Sequence, residues 1–296
     1  MTEIFKNKAK LRARSLSLGW SLVRAVIIIG ICFIILYPFF VKIVNGFKSF
    51  DDLIDPTVEY LPRVYSLEYW ISAFEQMEYP KAFLNTLLVS LGVAILQTAV
   101  AAVTGYGFAR FKFKGRNLLF LFVILMLIVP PQTILVPLFI KFKQFFGFIN
   151  LIDTPLPVFI MAATGTGFKN GLYIFLARQF FINMPKELNE AAAIDGCGVF
   201  GTFFKVMLPS ASTILTTVFL LSFSWQWTDT LYNGLFFQDT AILSNAINVV
   251  GMGESMAVSG NLQNIAAILA VIPLAVLYIF AQKSFVESID NAGIVG

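Results

Sequence analysis

The sequence contains no histidine. That removes the commonest general base at neutral pH and the commonest metal ligand. It has two cysteines, Cys32 in an apolar run and Cys197 in a polar stretch. They are too few for the usual thiolate zinc site, and their settings argue against a disulfide between them. No metal site is expected. No Gly-x-x-x-x-Gly-Lys-Ser/Thr occurs either, so any ATP must be handled by another subunit and no cofactor is expected in this chain. Charge is scarce: 13% of the 296 residues are Asp, Glu, Lys or Arg, while 58% are hydrophobic and 32 are Phe. A soluble domain of this length cannot hide so much apolar surface. The fold class expected is an all-α integral membrane protein with little soluble mass.

The basic residues are placed unevenly. Residues 1–22 carry Lys6, Lys8, Lys10, Arg12 and Arg14 against Glu3. No small-residue cleavage site follows, so the next run, about 23–44, reads as an uncleaved first span with Arg24 and Lys42 snorkelling at its ends. A nucleic-acid arm would interleave aromatics with the bases; this segment does not, and no nucleic-acid partner is expected. Residues 45–82 hold seven acids against three bases and belong outside, because positive charge is retained on the cytoplasmic side. A charge-free second span covers 83–109, opened by Asn85 and striped with small residues at 94, 98 and 102 and at 101, 105 and 109, which favour close helix packing. Arg110, Lys112, Lys114 and Arg116 then follow without an acid, marking a cytoplasmic loop.

The third span, 118–140, contains Pro130, Pro131 and Pro137 and is expected to bend. The bend either lines a pathway or only shapes the bundle. The fourth stretch, 156–181, is interrupted by Gly165-Thr-Gly-Phe-Lys-Asn-Gly171, read as broken or loosened helix beside a cavity. Counting back from Arg178 puts Lys169 about 14 Å into the membrane. Two readings stand: Lys169 donates to a polar substrate, or the helix starts late and the lysine snorkels to the outer interface. The fifth span, about 210–228, ends in Trp225-Gln226-Trp227, whose indoles are interfacial anchors or platforms for sugar rings. Residues 229–263 hold three acids and no Lys or Arg, consistent with an outer loop, before a sixth span over 264–282 kinked at Pro273. Six spans leave both termini in the cytoplasm.

One polar stretch between these runs organises the rest. Pro185 suits a first helical turn, Glu187 and Glu190 complement the helix dipole, and Gly196 stands where a left-handed C-terminal cap falls. This spacing predicts a helix of about three turns. Its Glu190-Ala191-Ala192, then Asp195-Gly196, then Leu208-Pro209 resemble the EAA loop of permease subunits in binding-protein-dependent ABC importers, with the spacing of the carbohydrate-uptake branch. Asn85-Thr86, Val129-Pro-Pro-Gln132, Arg178-Gln-Phe-Phe181 and the tail from Phe285 are similar to that family too, although Thr228 stands where the family commonly has Asn.

The resemblance implies a single transmembrane permease domain over 1–296 with six transmembrane helices, and a cytoplasmic coupling loop over 182–209. Glu190, Ala191, Ala192, Asp195 and Gly196 are its contacts with an ATPase, and Lys169, Asn85, Trp225 and Trp227 are candidates for the substrate pathway. It implies a heterodimer with a second, related permease, two ATPase subunits that bind the ATP, an extracytoplasmic solute-binding protein, and a sugar or oligosaccharide as cargo. The location implied is the cytoplasmic membrane of a bacterium. An ion-coupled secondary transporter is the rival. Such carriers usually hold acidic or His relays in their spans and paired repeats, and here the span middles contain neither Asp nor Glu. An intramembrane enzyme would need a convergent nucleophile and base or metal ligands, which a chain without His is poorly equipped to supply.

Overall fold

The computed structural model describes the backbone of residues 2–293 and the side chains of residues 19–282. The side chains of Lys6 to Arg14, and those of the tail from Phe285, lie outside the described residues. Among the described residues all regular structure is helical, apart from two isolated β-bridges. Three helical segments are long and apolar enough to cross a membrane: 19–46, 79–110 and 256–282. Two bent pairs pass the same test together, 116–128 with 131–143 and 199–210 with 212–227. The chain divides into two compact units, residues 1–73 with 251–265, and residues 74–250 with 266–296.

In the first unit, α1 (Thr2–Gly46) carries the first apolar run, which is exposed from Gly19 to Phe40. The acidic loop after it is folded. Lys48 is buried and donates from Nζ to the carbonyls of Val58 (2.7 Å) and Glu59 (3.3 Å). Buried Asp52, in α2 (Phe50–Ile54), accepts the N–H groups of Arg63 (2.7 Å) and Val64 (3.0 Å). A buried charge is costly unless it is hydrogen-bonded, and both charges are. At the start of α3 (Glu68–Gln76), Trp70 lies against Gly46 so closely that a Cβ there would sit 2.8 Å from its indole nitrogen.

The second unit is built on α4 (Tyr79–Arg110). Its small residues admit neighbours at backbone distance, as the small-residue stripes predict. A Cβ on Gly105 would lie 2.7 Å from Ala177 Cβ and 2.8 Å from the Arg178 backbone nitrogen. Ala94, Ala101 and Ala102 are buried, and Gly92 faces the Phe159 ring.

The third apolar run bends at its prolines, as expected, and more sharply than a kink: α5 (Arg116–Ile128) stops, Pro131–Ile134 makes one 3₁₀ turn, and α6 (Leu135–Lys143) leaves at 101° to α5. The cause is the proline pair. Pro131 keeps Pro130 extended, at ψ 127°, and neither proline has an N–H to continue the ladder. The Pro130 carbonyl is taken instead by the N–H and hydroxyl of Thr133. With 13 residues, α5 is about 20 Å long, short of a ~30 Å hydrocarbon core.

The fourth stretch is broken where the glycines predict. Helix α7 (Leu156–Ala163) ends, residues 164–169 are irregular, and α8 (Asn170–Asn183) begins. The polar stretch expected to couple comprises α9 (Glu187–Ile194), α10 (Val199–Thr202), a π-helical turn over Phe203–Met207 and α11 (Leu208–Ser210). A 74° bend then leads into α12 (Ser212–Trp227). Two short helices follow, α13 (Leu231–Phe236) and α14 (Leu243–Val249), and α15 (Met256–Gly293) closes the chain.

Candidate coupling loop and translocation cleft

Helix α9 is shorter than the three turns expected, because its lead-in is pinned in an extended form. Met184 has ψ 142°, and Arg110 at the end of α4 donates to the carbonyls of Met184 (2.7 Å) and Pro185 (3.5 Å). The C-terminus is as expected. Gly196 has φ +76°, its N–H reaches the Ala193 carbonyl (3.1 Å), and the Cys197 N–H reaches the Ala192 carbonyl (2.9 Å). These two bonds are the Schellman pattern, which satisfies the orphan carbonyls at a helix end.

The two faces of α9 differ. Leu188 is half-buried and Ala192 is 3% exposed, both turned toward this chain's own core cluster or its π turn. Glu187, Glu190, Ala191 and Ile194 form the opposite, exposed ridge, with Asp195 and Gly196 exposed just beyond. Ile194 is 86% exposed, and Val199, Phe200 and Phe204 are exposed beside it in sequence, so the loop offers an apolar surface. Of the five expected contact residues, four are free to meet a partner and Ala192 is committed internally. The seat of the loop went unread in the sequence. Tyr106 packs on Phe203 (ring centroids 5.0 Å apart) and on Phe181 (5.4 Å). The segment from Tyr106 to Arg116 signalled a likeness to the family's pattern and the sidedness of its positive charges, but not this packing.

Lys169 and Trp225 come together. Lys169 immediately precedes α8, in left-handed conformation (φ +63°), with Nζ 4.2 Å from the Trp225 ring centroid and 5.2 Å from that of Phe168. Two adjoining cavities, about 630 and 520 Å³, share Pro131, Phe168 and Lys169 as walls. The larger is otherwise lined by α5, residues 166–172, Val129, Ile134 and Tyr232; the smaller by Gln132, Trp225 and residues 228–231. Asn85 and Trp227 line neither. The Asn85 amide donates to the Ala241 carbonyl (3.0 Å), and Trp227 is buried with its indole N–H on the Ala270 carbonyl (2.9 Å).

Three polar groups of the cleft were not singled out from sequence. Gln97 of α4 is buried and donates to the Phe168 carbonyl (2.9 Å), satisfying the broken backbone, while it accepts Ser222 Oγ (2.5 Å). Asn170 is 0% exposed and neither of its amide atoms has a hydrogen-bond partner. Asp229, just beyond α12, accepts the N–H groups of Leu231 (2.9 Å) and Tyr232 (3.3 Å) on Oδ1, and its buried Oδ2 has no partner. Burial pushes the Asp229 carboxyl up to about 6, against the pull of those N–H groups. The available signals were the glycines flanking Asn170 and the lone acid after Trp227.

Residues 97–291 match the family described as binding-protein-dependent transport system inner membrane component. The chain belongs to that family. Among curated relatives, the arabinooligosaccharides transport system permease protein AraQ of Halalkalibacterium halodurans is 28% identical over 272 residues, covering 90% of this chain and 93% of that one. The melibiose/raffinose/stachyose import permease protein MelC of Bacillus subtilis is 27% identical over 259 residues, covering 88% and 91%. In fold, the chain resembles a bacterial ABC transporter involved in the import of the acidic polysaccharide alginate, with a TM-score of 0.63 at 19% identity over 89% of this chain and 95% of that one. This permease is therefore a membrane-spanning transport component and not an enzyme. An ATPase and a binding protein are its implied partners. The ion-coupled carrier reading falls with the family membership.

Proposed function

We propose that this permease carries a sugar or oligosaccharide across a bacterial cytoplasmic membrane, as half of a heterodimer with a second permease. The names of its relatives support the cargo class. The full chain is one transmembrane domain of six crossings: the three long helices, the bent pair 116–128 with 131–143, α12, and α7–α8 taken together as one broken crossing. Both termini and the 182–209 loop lie in the cytoplasm, because the basic segments all fall on that side. Two ATPase subunits bind the ATP and dock on Glu190, Ala191, Ile194, Asp195 and Gly196. A solute-binding protein delivers the cargo from outside, and the cleft at Lys169 and Trp225 is this subunit's part of the pathway, with Asn85 and Trp227 bracing it.

The observation that carries the reading is the Schellman-capped helix α9, with one face turned to the π turn, which itself packs on Tyr106, and the other exposed. ATPase closure would push on this loop and rock the bundle. Reconstitution with the ATPases, the second permease and the binding protein should give uptake that stops when ATP hydrolysis is blocked. Reporter fusions should place residues 112–116 in the cytoplasm. Uptake that persists on an ion gradient alone, or an external 112–116 loop, would refute this assignment.

A further inference from the structure

Lys169 occupies its position against three local preferences. Its left-handed backbone costs a non-glycine residue roughly 1 kcal/mol. Its positive charge stands at the N-terminal end of α8, where the helix dipole favours negative charge. And among the described residues no carboxylate lies within ion-pair distance of it; its recorded partners are the faces of Phe168 and Trp225. It is also the one charged side chain lining the larger cavity. Costs kept together at one residue mark a functional site more often than a structural one.

A second observation points to the same place. Asn170, fully buried, lines that cavity with its amide oxygen and nitrogen both unpartnered. A helix N-terminus, an unpaired ammonium and an unsatisfied amide donor together make a cradle for an oxyanion. The cavity's remaining walls include Phe122, Phe168 and Tyr232, apolar faces suited to a sugar ring, and its ~630 Å³ is in the range of small-molecule sites. Asp229, the acid of the neighbourhood, lines the smaller cavity, which Lys169 also borders, without forming an ion pair with it.

We propose that Lys169 is a specificity-determining residue, and that the cleft takes saccharides carrying a carboxylate, as uronic acids do. The carboxylate draws the ammonium off the Trp225 and Phe168 faces, and the Phe168 face, which lines the larger cavity, is freed for the sugar. This inference rests on the proposed importer function and is separable from it.

The test uses the complete reconstituted transporter, with a uronic-acid disaccharide and the matching neutral disaccharide as cargo, in vesicles with and without anionic lipid. The same binding protein serves every variant, so capture cancels when variants are compared. The ratio of uronate to neutral transport should fall at least about tenfold in Lys169→Met, the worth of one charge-assisted hydrogen bond, and be largely retained in Lys169→Arg. An unchanged ratio in Lys169→Met, or transport of the neutral sugar alone, overturns the proposal while leaving the importer function standing. A Lys169→Met defect confined to vesicles with anionic lipid assigns the lysine to headgroups and also overturns it. Failure to carry either sugar, with ATPase coupling intact, sinks the saccharide reading itself and this inference with it.

Discussion

Replacing Gly196 isolates what the coupling helix needs. Its φ of +76° is a conformation that a side chain penalises, yet a Cβ built there meets no atom within 4 Å. The cost is therefore conformational: about 1 kcal/mol for Gly196→Ala, more for the β-branched Gly196→Val, and less for Gly196→Asn, whose side chain tolerates left-handed backbone. The helix is only eight residues long and held from one side by Leu188 and Ala192. A loss of this size thus moves the balance between the capped and frayed loop by up to about fivefold, and ATPase docking falls by the same factor. The site is exposed, so insertion and pairing of the permeases should be unaffected. The assay is co-purification of the ATPase at graded concentration, together with substrate-stimulated hydrolysis in liposomes. The expected order is wild type, Asn, Ala, Val. Wild-type docking and stimulation in Gly196→Val, or an Asn variant as impaired as the Val variant, would refute the reasoning.

The neighbouring alanines should separate docking from folding. Ala191→Trp, on the exposed ridge, should block ATPase co-purification at unchanged thermal stability, whereas Ala192→Trp overpacks the chain's own interior and should lower stability by about 1–3 kcal/mol. Asp229→Asn should stabilise the detergent-solubilised protein at neutral pH. A carboxyl raised from 3.8 to about 6 costs folding up to about 3 kcal/mol once ionised, while Asn keeps the oxygen that caps α13. The native state binds the extra proton between these values, so wild-type stability falls as pH rises from about 4 to 6. The gap between the two proteins should open over that window and stay constant above it; melting curves showing no gap at pH 7.5 would contradict the burial argument.

What the sequence made legible was what single residues dictate alone. Gly196 forces a left-handed turn wherever it caps a helix, and Gly165 to Gly171 interrupt a helix whatever surrounds them. The Pro130-Pro131 break was visible too, but its angle was not. A kink becomes a 101° turn only because α6 has somewhere to go, with Phe142 wedged edge-on against Phe236, a residue 94 positions later. The burial of Lys48 and Asp52 was hidden for the same reason: their partners are backbone groups delivered by the closing of the loop. Ala191 and Ala192 are chemically identical, and only the π turn decides which faces inward.

The proposed mechanism needs a rigid part and a yielding part, and the second unit contains both. Arg110 and Tyr106 fasten the candidate coupling loop to the C-terminal end of α4. Gly105 against Ala177 interlocks α4 with α8 at backbone contact, where close packing transmits displacement instead of absorbing it. Gln97 lies 13 residues from Arg110, about 20 Å along the same helix, and holds the Phe168 carbonyl and Ser222 of α12. A push on α9 is thus carried by α4 and α8 as one body to residues 164–169. There the helix is interrupted, Gly165 and Lys169 are left-handed, and a few dihedral changes cost least. Lys169, parked on the Trp225 ring, sits on that yielding segment, so the residue proposed to meet the cargo is also the one this mechanism would move when the loop is pushed.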